Sequence, residues 1–333
     1  MAETLRIATF HTELSRKGPG LLLRDILRGD PQAGAVAEVV AHVAPDVLIL
    51  QGVDYDHGQE TLRALRDLIG AAGAEYPHIF ALQPNSGMAS GHDLDGDGRL
   101  GEPEDAQGYG WFAGEGGMAV LSRYPVAEGE VQDFSDMLWA DLPGEIADQG
   151  VNAEVQRLSS VGHWVVPVTV GETRLNLLTF HATPPVFDGP EDRNGRRNHD
   201  EITLWQRYLD GALGPVADGA FVLAGNANLD PVDGDGRKGA IKALLDDPRL
   251  QDPAPRHDGG AEQGEGQAGD PALDTVAWTA PVPGHLRVSY VLPSAKLEVL
   301  ASGVFWPAEG APLADAARTA SRHRVVWVDL RIE

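Results

Sequence analysis

The sequence predicts one α/β domain in which sheets pack against layers of helices. Strand-like and helix-like patterns alternate over the first hundred residues, and strand-like patterns dominate from residue 118 onward. Hydrophobic residues make up 42% of the 333 residues, which suffices for a folded core at this length. Because no linker or fixed-period repeat interrupts the pattern, we expect a single domain over residues 1–333.

Local patterns justify each element. Alternating apolar residues predict a strand at 5–9. Asp30-Pro31 is typical of a helix start, because the aspartate accepts hydrogen bonds from free amides and proline has no amide hydrogen to satisfy. Valines at helical spacing continue that helix until Pro45. Continuous apolar runs predict buried strands. The remaining elements, in chain order, are a strand at 46–50, a helix around 62–69, strands at 118–122, 163–170 and 175–180, a helix at 198–213, a strand at 221–225, a helix at 241–245, and strands at 287–292 and 324–330.

The chain is strongly acidic. It carries 26 lysines and arginines against 50 aspartates and glutamates, a formal charge of −24. This balance disfavours sequence-independent nucleic-acid binding, which depends on cationic side chains that neutralise phosphates. An anionic ligand would therefore need a local basic pocket or bridging metal ions. Residues 252–274, rich in glycine, proline and acids, predict a long flexible acidic loop.

Composition also excludes several kinds of site. The chain has no cysteine, which excludes disulfides, thiolate nucleophiles and cysteine-based zinc or iron–sulfur sites. The N-terminus lacks the basic start and apolar core of a signal peptide, and no apolar run reaches the roughly 18 residues of a membrane span. We therefore expect a cytoplasmic protein without membrane contact, although a processed secreted form would have the same sequence. The sequence predicts no oligomeric state.

Polar residues follow several predicted strands, at the sheet edge where α/β folds usually place their chemistry. Taken alone, a histidine or asparagine at a strand end is usually a hydrogen-bonded loop residue. The order and spacing of six such segments together indicate a shared site. The segments are 9–13, 50–56, 179–185, 224–231, 288–293 and 321–324.

Together these segments resemble the endonuclease/exonuclease/phosphatase superfamily, the fold of the deoxyribonuclease-I-like nucleases and inositol-phosphate phosphatases. The resemblance runs from Leu5 to Leu330. It is especially close to bacterial members that carry Gly-Pro-Gly-Leu-Leu-Leu-Arg-Asp-Ile-Leu, here 18–27, and His-Ala-Thr-Pro-Pro-Val-Phe-Asp-Gly-Pro-Glu-Asp-Arg-Asn-Gly-Arg-Arg-Asn, here 181–198. The resemblance implies a four-layer α/β/β/α architecture, in which two packed β-sheets are flanked by helices.

The resemblance also implies a pocket for metal-assisted attack of water on a phosphoester. This chain retains His181, which would contact the scissile phosphate, Asn228 of the water-orienting motif, and His323, the acid/base. His11 and Asn226 would line the same pocket, at positions where the family has asparagine and aspartate. These five residues are the candidate catalytic set.

The chain departs from the family where the family places its charge. Gly52 stands where the metal-binding glutamate is expected, Ser289 replaces an aspartate, and Arg322 precedes the terminal histidine in place of an aspartate. A hard divalent cation prefers carboxylate oxygens, so the pocket is a poor match for Mg²⁺ or Mn²⁺. Asp54 or Asp56 could supply the missing carboxylate. Alternatively, the three pocket histidines could bind a transition metal or serve only as polar packing.

The sharpest local motif is the twelve-residue segment 93–104, Asp-Leu-Asp-Gly-Asp-Gly-Arg-Leu-Gly-Glu-Pro-Glu. It matches an EF-hand-type calcium loop, in which alternate acidic residues converge because a glycine at position six permits a sharp turn. The glycine-rich flanks predict no adjoining helices, so the loop would stand alone, and a solvated acidic loop is the alternative. The predicted calcium ligands are Asp93, Asp95, Asp97, the carbonyl of Arg99, and Glu104.

A cluster of three arginines, Arg193, Arg196 and Arg197, follows the His181 segment. In an otherwise acidic chain it is a candidate phosphate-binding group, because guanidinium binds phosphate bidentately. Ion pairing with neighbouring acidic residues is the alternative.

The sequence therefore predicts a metal-dependent phosphodiesterase or phosphomonoesterase by resemblance, acting on a phosphorylated small molecule or a nucleic acid. Because the family carboxylates are replaced, an alternative remains open. The chain would then be a catalytically disabled family member that binds a phosphorylated ligand or partner, or an inactivated variant of an active protein.

Overall fold

A computed structural model describes residues 3–147, 152–259, 266–278 and 283–332. The strands are β1 (Glu3–His11), β2 (Val47–Val53), β3 (His78–Phe80), β4 (Gly117–Ser122), β5 (Gln132–Asp133), β6 (Gly162–Val170), β7 (Thr173–His181), β8 (Ala220–Asn226), β9 (Val276–Ala277), β10 (His285–Leu286), β11 (Ser289–Pro293), β12 (Glu298–Phe305) and β13 (Val325–Ile332). The α-helices are α1 (Leu21–Leu27), α2 (Pro31–Val43), α3 (Glu60–Ala72), α4 (Arg193–Leu209), α5 (Gly239–Leu245) and α6 (Ala314–Ala320).

Two mixed sheets form the centre of the molecule. One has the strand order β12-β13-β1-β2-β4-β3, and the other has the order β11-β8-β7-β6-β5. Strands β1 and β2 pair in parallel in the first sheet, as do β7 and β8 in the second. Strands β9 and β10 form a separate two-stranded ribbon.

The central strands are buried on both faces. Successive side chains along each strand point alternately to the core between the two sheets and to the helices on the outside. In β1, Ile7 contributes to the core between the sheets, whereas Phe10 packs with the helices. In β7, Leu177 faces the core between the sheets, and Phe180 packs against α4. Two-sided burial explains why these strands are continuous apolar runs in the sequence.

Helices cover the outer face of each sheet. Helices α1, α2, α3 and α6 share a core cluster with the first sheet, and α4 and α5 share another with the second. The Asp30 side chain accepts the Ala33 amide at 2.9 Å, as the predicted start of α2 requires. The predicted four-layer α/β/β/α fold is confirmed.

Helix α4 begins and ends earlier than predicted. It runs from Arg193 to Leu209, whereas the apolar pattern predicted 198–213. Its first turn consists of polar residues and Gly195, so it carries no apolar periodicity that the sequence could reveal. Strand β12 and helix α6 were likewise missed, because β12 lies at a sheet edge with mostly unburied residues and α6 buries only alanines.

The acidic loop predicted at 252–274 is held by hydrogen bonds in its described parts. Asp252 binds the Arg287 guanidinium through two hydrogen bonds of 2.8 and 2.6 Å, and Arg287 is almost fully buried. The amide of His257 donates to the carbonyl of Ala272 at 3.0 Å. Both ends of the segment are therefore anchored, and residues 260–265 lie outside the described residues.

Among the described residues, none of the helices combines the length and the apolar character needed to cross a bilayer.

Asp252→Ala should lower the free energy of unfolding by about 3–5 kcal/mol, because it leaves the Arg287 guanidinium buried without its carboxylate. Urea denaturation monitored by tryptophan fluorescence measures the loss. Arg256→Gln is the matched control. Its ion pair with Asp270 lies at the surface, so it should cost less than about 1 kcal/mol. Equal, small losses in both variants would contradict the anchoring role.

Candidate active site

The candidate site lies where strands from both sheets end. Strand β1 ends at His11 in the first sheet, and His181 and Asn226 end two parallel neighbours in the second, where they are register partners. Ser289 begins β11 opposite Asn226. Alternation along each strand places these side chains on the face between the sheets, in line with the apolar residues of that core. The site is therefore the polar rim of the inter-sheet core.

The structure brings all five predicted catalytic residues together. The Nδ2 atom of Asn226 lies 3.0 Å from Nδ1 of His11, 3.4 Å from Nε2 of His181 and 3.1 Å from Oδ1 of Asn228. The ring of His323 packs against that of His11 with centroids 4.2 Å apart. The roles assigned to these residues remain predictions, but their convergence is a feature of the fold.

The two asparagine amides determine which imidazole nitrogens carry a proton. Asn228 donates one amide hydrogen to the carbonyl of Ala182 at 2.8 Å, and its other hydrogen faces Nε2 of His181 at 3.5 Å. Asn226 likewise presents its N–H to Nδ1 of His11. Both ring nitrogens are thus acceptors, so the network assigns the proton of His181 to Nδ1 and that of His11 to Nε2.

All three pocket histidines are held in the neutral form. Burial lowers the pKa of His11, His181 and His323 well below the usual value, because the charged imidazolium loses its hydration. Their mutual repulsion lowers each pKa further, and the Arg322 guanidinium adds to the effect on His11 and His323. The pocket therefore presents neutral imidazoles and amides near pH 7.

Comparison with known proteins identifies the family to which this chain belongs. The sequence profile described as "Endonuclease/Exonuclease/phosphatase family" matches residues 17–323. The chain belongs to this family. No curated protein matches the sequence.

Solved structures of endonuclease/exonuclease/phosphatase proteins share the fold at low sequence identity. A protein of this family from Beutenbergia cavernae DSM 12333 is 20% identical, with a TM-score of 0.58 over 99% of this chain and 72% of the other. A family protein from Bacteroides thetaiotaomicron is 14% identical, with a TM-score of 0.56 over 100% and 99%. The mannosyl-6-phosphatase Bt3783 from Bacteroides thetaiotaomicron VPI-5482 is 14% identical, with a TM-score of 0.52 over 98% and 99%.

Gly52 stands where the resemblance predicts a metal-binding glutamate. It lies in a β-bulge of β2 with φ +72°, a conformation that favours glycine. A Cβ atom placed there would lie 2.7 Å from Cδ2 and 2.9 Å from Nε2 of His11. The His11 ring therefore occupies the space into which a side chain at position 52 would extend, and the two residues are sterically coupled.

Neither alternative carboxylate takes over the place of that side chain. Asp54 accepts the amides of Arg16 and Gly116, and burial raises its pKa to about 6. Asp56 accepts the amides of Glu60 and Thr61 at the start of α3. Both carboxylates thus bind backbone amides.

The endonuclease/exonuclease/phosphatase fold implies a divalent metal, but the residues of this pocket do not fit one. Within the described ranges, only Asp93, Asp95 and Asp97 place one ligand atom each within 4.8 Å of one another. The three pocket imidazoles do not meet that distance, which also disfavours the transition-metal alternative. Amides, imidazoles and a serine hydroxyl replace the carboxylates that Mg²⁺ or Mn²⁺ would require.

Three buried polar atoms at the site lack a hydrogen-bond partner among the described residues. They are Nδ1 of His181, Nδ1 of His323 and Oγ of Ser289. Unpartnered buried polar groups are costly, so they usually face a ligand or water. The ring of Trp278 meets His323 edge-on, with centroids 5.6 Å apart, and forms an aromatic wall of the site.

Residues that the sequence analysis missed hold the pocket loops in place. Asn198 on α4 donates to the carbonyls of Thr183 and Ala227, both at 2.7 Å, and so joins the loops that follow β7 and β8. Glu201, one turn along, accepts the Thr183 amide and, through its other oxygen, the amide and hydroxyl of Ser160. The signal in the sequence that could have identified Asn198 and Glu201 is that both are polar and lie on the same face of α4 as its buried apolar residues.

The three clustered arginines have separate roles. Arg197 is only 5% exposed and donates to the carbonyls of Gln107, Arg157 and Leu158, so it is a structural residue and the prediction that it binds phosphate is not supported by its position. Arg193 donates to Gln156 at 2.8 Å, and burial lowers its pKa although Asp95 and Asp105 counteract the shift. Arg196, half-buried, also has interaction partners in the structure. The Asp95 and Asp105 neighbours place Arg193 beside the predicted calcium loop.

The acidic loop adopts a turn of the predicted kind. Asp93 accepts the amides of Gly96 and Gly98 at 2.7 and 2.8 Å, and these bonds lower its pKa. Gly98 has φ +87°, as the turn at position six requires. The side chain of Arg99 pairs with Asp97 and Glu102. A cleft of about 700 Å³ adjoins the loop and is lined by acidic side chains and Trp111.

Glu104 does not join the three aspartates, contrary to the prediction that it closes the ligand set. Pro103 begins a 3₁₀ turn, Pro103–Asp105, in which Glu104 is exposed. The buried residue is Asp105, which accepts the amides of Leu94 and Gly101, each at 2.8 Å. The next acidic residue therefore closes the loop through hydrogen bonds.

The neutral histidines predict that acid destabilises the fold. Unfolded histidines bind protons below about pH 6.5, whereas the folded ones, with lowered pKa, do not, so protons favour the unfolded chain. Stability should fall by about 1.4 kcal/mol per pH unit for each such histidine as the pH drops below about 6.5. Buried His163, with a pKa of about 3, contributes over the same range.

Urea unfolding at about pH 7.5, 6 and 5 measures this slope. His181→Gln should flatten it, because one titrating group is removed, while the matched substitution of exposed His57 should leave it unchanged. A slope that is the same in both variants would contradict the burial of a neutral His181.

Proposed function

We propose that this family member binds a phosphorylated ligand at the rim of the inter-sheet core without hydrolysing it. The observation that carries the proposal is the contact between His11 and Gly52. The position expected to supply a metal-binding carboxylate is a glycine at positive φ, and the His11 ring occupies the adjacent space. Hydrolysis assisted by a divalent metal therefore lacks its ligand.

Two further pocket positions, Asn226 and Ser289, carry neutral side chains where the resemblance predicts aspartates. Asn226 is an amide donor to His11, where an aspartate would accept protons from an attacking water. Ser289, opposite Asn226 in the sheet, has an unpartnered hydroxyl where a second carboxylate would stand. Metal-dependent phosphoester hydrolysis, the first expectation from the resemblance, is thus the weaker of the two hypotheses.

The remaining groups suit recognition of an anion through hydrogen bonds. A neutral imidazole with Nδ1–H at His181 and a serine hydroxyl at Ser289 are donors that lack partners. The charge of −24 opposes the approach of a long nucleic acid. A small phosphorylated molecule, or a single phosphate on a partner, is therefore the class of ligand that we propose.

Purified protein should not hydrolyse p-nitrophenyl phosphate or bis-p-nitrophenyl phosphate in Mg²⁺, Mn²⁺ or Ca²⁺, because no pocket carboxylate can hold the metal. The assay follows nitrophenolate release. A fourfold variant, His11→Asn, Gly52→Glu, Asn226→Asp and Ser289→Asp, should gain metal-dependent turnover.

The matched control for this gain is the threefold variant that retains His11. In that variant the glutamate at position 52 would clash with the His11 ring, so the variant should stay inactive. Wild-type turnover that is lost in both His181→Ala and His323→Ala would overturn the proposal and restore the hydrolase hypothesis.

We further propose that the loop at 93–104 binds Ca²⁺ through Asp93, Asp95 and Asp97. Their convergence within 4.8 Å supports the proposal. Aspartates at alternate positions before a glycine-permitted turn are typical of calcium loops. Glu104 is left out of the ligand set, because it lies outside the group.

Calcium in large excess over its dissociation constant should raise the melting temperature by about 3–5 °C, since it binds the folded chain preferentially. The double variant Asp95→Asn, Asp97→Asn should lose this rise while keeping the size of the side chains. Scanning calorimetry with Ca²⁺ and with a chelator measures it, and exposed Asp136→Asn is the control. A rise that persists in the double variant would exclude these ligands.

A further inference from the structure

An exposed arginine stands at the edge of the histidine pocket in an ion pair with Glu13. Arg322 immediately precedes His323, and Glu13 lies two residues after His11, whose ring packs against that of His323 with centroids 4.2 Å apart. The guanidinium contacts Oε1 of Glu13, with Nε at 2.8 Å. The arginine side chain is 64% exposed and the glutamate side chain 20%.

The two carboxylate oxygens of Glu13 have different partners. Oε1 meets only the guanidinium in the described structure, whereas Oε2 accepts the Ser321 hydroxyl at 3.0 Å and the Arg322 amide at 2.8 Å. The single hydrogen of the Ser321 hydroxyl is shared between Oε2 and the carbonyl of His11, which lies 2.8 Å from the hydroxyl oxygen. Oε2 therefore holds the turn before His323, and the bond through Oε1 can exchange without disturbing that turn.

The neighbouring arginine is not available for a ligand. Arg324 is buried, and its Nη1 atom faces the carbonyls of Ala317, Ser321, Arg322 and His323, with Ser321 nearest at 2.6 Å. It also stacks on Trp306, with its guanidinium carbon 4.7 Å from the ring centroid. Arg322 is thus a guanidinium at this rim that combines solvent exposure with a partner that can be displaced.

We propose that Arg322 binds the phosphate of the ligand, and that the phosphate replaces Oε1 of Glu13 as the partner of Nε and Nη2 of the guanidinium. This inference rests on the proposed function and assigns the cation that holds the ligand in place of a metal. Guanidinium binds phosphate in the geometry it uses for carboxylate. The unpartnered Nδ1 of His323 and Oγ of Ser289 are further buried hydrogen-bonding groups of the same site.

Because the Arg322 side of this ion pair is exposed, solvent screens the pair and its exchange for a ligand costs little. Without a ligand, the Glu13 carboxylate takes the place beside the Arg322 guanidinium that the phosphate would take. The carboxylate keeps the guanidinium oriented at the rim while no ligand is present, through hydrogen bonds that Arg322 itself donates. Burial alone would raise the pKa of Glu13, but these bonds lower it, so the carboxylate stays ionised and competes with an incoming anion.

Titration calorimetry of the full chain with inorganic phosphate and with phenyl phosphate tests the assignment. Arg322→Gln should weaken binding of both probes about tenfold or more. Glu13→Gln should strengthen binding severalfold, because the competing charge is removed while an oxygen remains for Ser321. Arg322→Lys keeps the charge without the planar fork and should bind with intermediate affinity.

Arg331→Gln is the matched control, because Arg331 also forms an exposed ion pair, with Glu298 at 2.8 Å, on the following strand. It should leave both affinities unchanged. Arg193→Gln tests the arginine cluster in the same way. Circular dichroism and the melting temperature establish that each variant is folded.

Binding that Arg322→Gln leaves unaltered, or that Arg331→Gln weakens equally, would overturn the assignment, as would absence of binding by either probe. Release of phenol from phenyl phosphate by the wild-type chain would instead overturn the non-hydrolytic function. An Arg322-dependent affinity would still stand in that case, so the two failures are distinguishable.

Discussion

Burial of both faces of the central strands is the constraint on which the rest of this structure depends. With a second sheet on one side and helices on the other, the middle of strands such as β1, β2, β7 and β8 has little access to solvent. A polar side chain there needs a partner inside the protein, as Thr9 has in Gln51 and Asn176 has in the carbonyl of Asp218, whereas the strand ends can carry polar side chains that face a ligand. The strand ends of both sheets meet at one rim, and alternation directs His11, His181 and Asn226 into the space between them.

At that rim the amides of Asn226 and Asn228 pair with one another and with imidazole nitrogens. Asn226 serves as the centre, with its amide nitrogen facing His11 and Asn228 and its oxygen accepting the Asn228 amide at 3.0 Å. A cluster of carboxylates would repel itself and would need a cation for stability. Amides and neutral imidazoles need none, because each group can donate to or accept from its neighbour. The same backbone framework can therefore be stable with a charged pocket or with a neutral one.

Much of the fold could be predicted from the sequence because its signals are local. Apolar runs and the Asp30 cap located most strands and the helix α2, and the order of the strand ends predicted that His11, His181 and His323 would converge. The polar first turn of α4 gave no such signal.

The features that decide the chemistry depend on contacts between distant parts of the chain. The steric contact of His11 with Gly52 and the ion pair of Glu13 with Arg322, 309 residues apart, have no local pattern. At the acidic loop, Asp105 makes the closing contacts through hydrogen bonds, whereas the spacing predicts that Glu104 makes them as a ligand. The two residues are neighbours in a 3₁₀ turn, and the spacing of acidic residues alone does not show which of them points inward.

The coupling of His11 with Gly52 gives the two positions a preferred order of change. Shortening the side chain at position 11 first would leave a small space at a solvent-accessible rim, which a protein tolerates readily. Enlarging position 52 first would force a side chain onto an imidazole and onto a backbone at positive φ, so the intermediate would be strained. The change between a neutral and a charged pocket in this fold therefore has a preferred order. Before position 52 on β2 can carry a carboxylate, the side chain at position 11 on β1 has to become smaller.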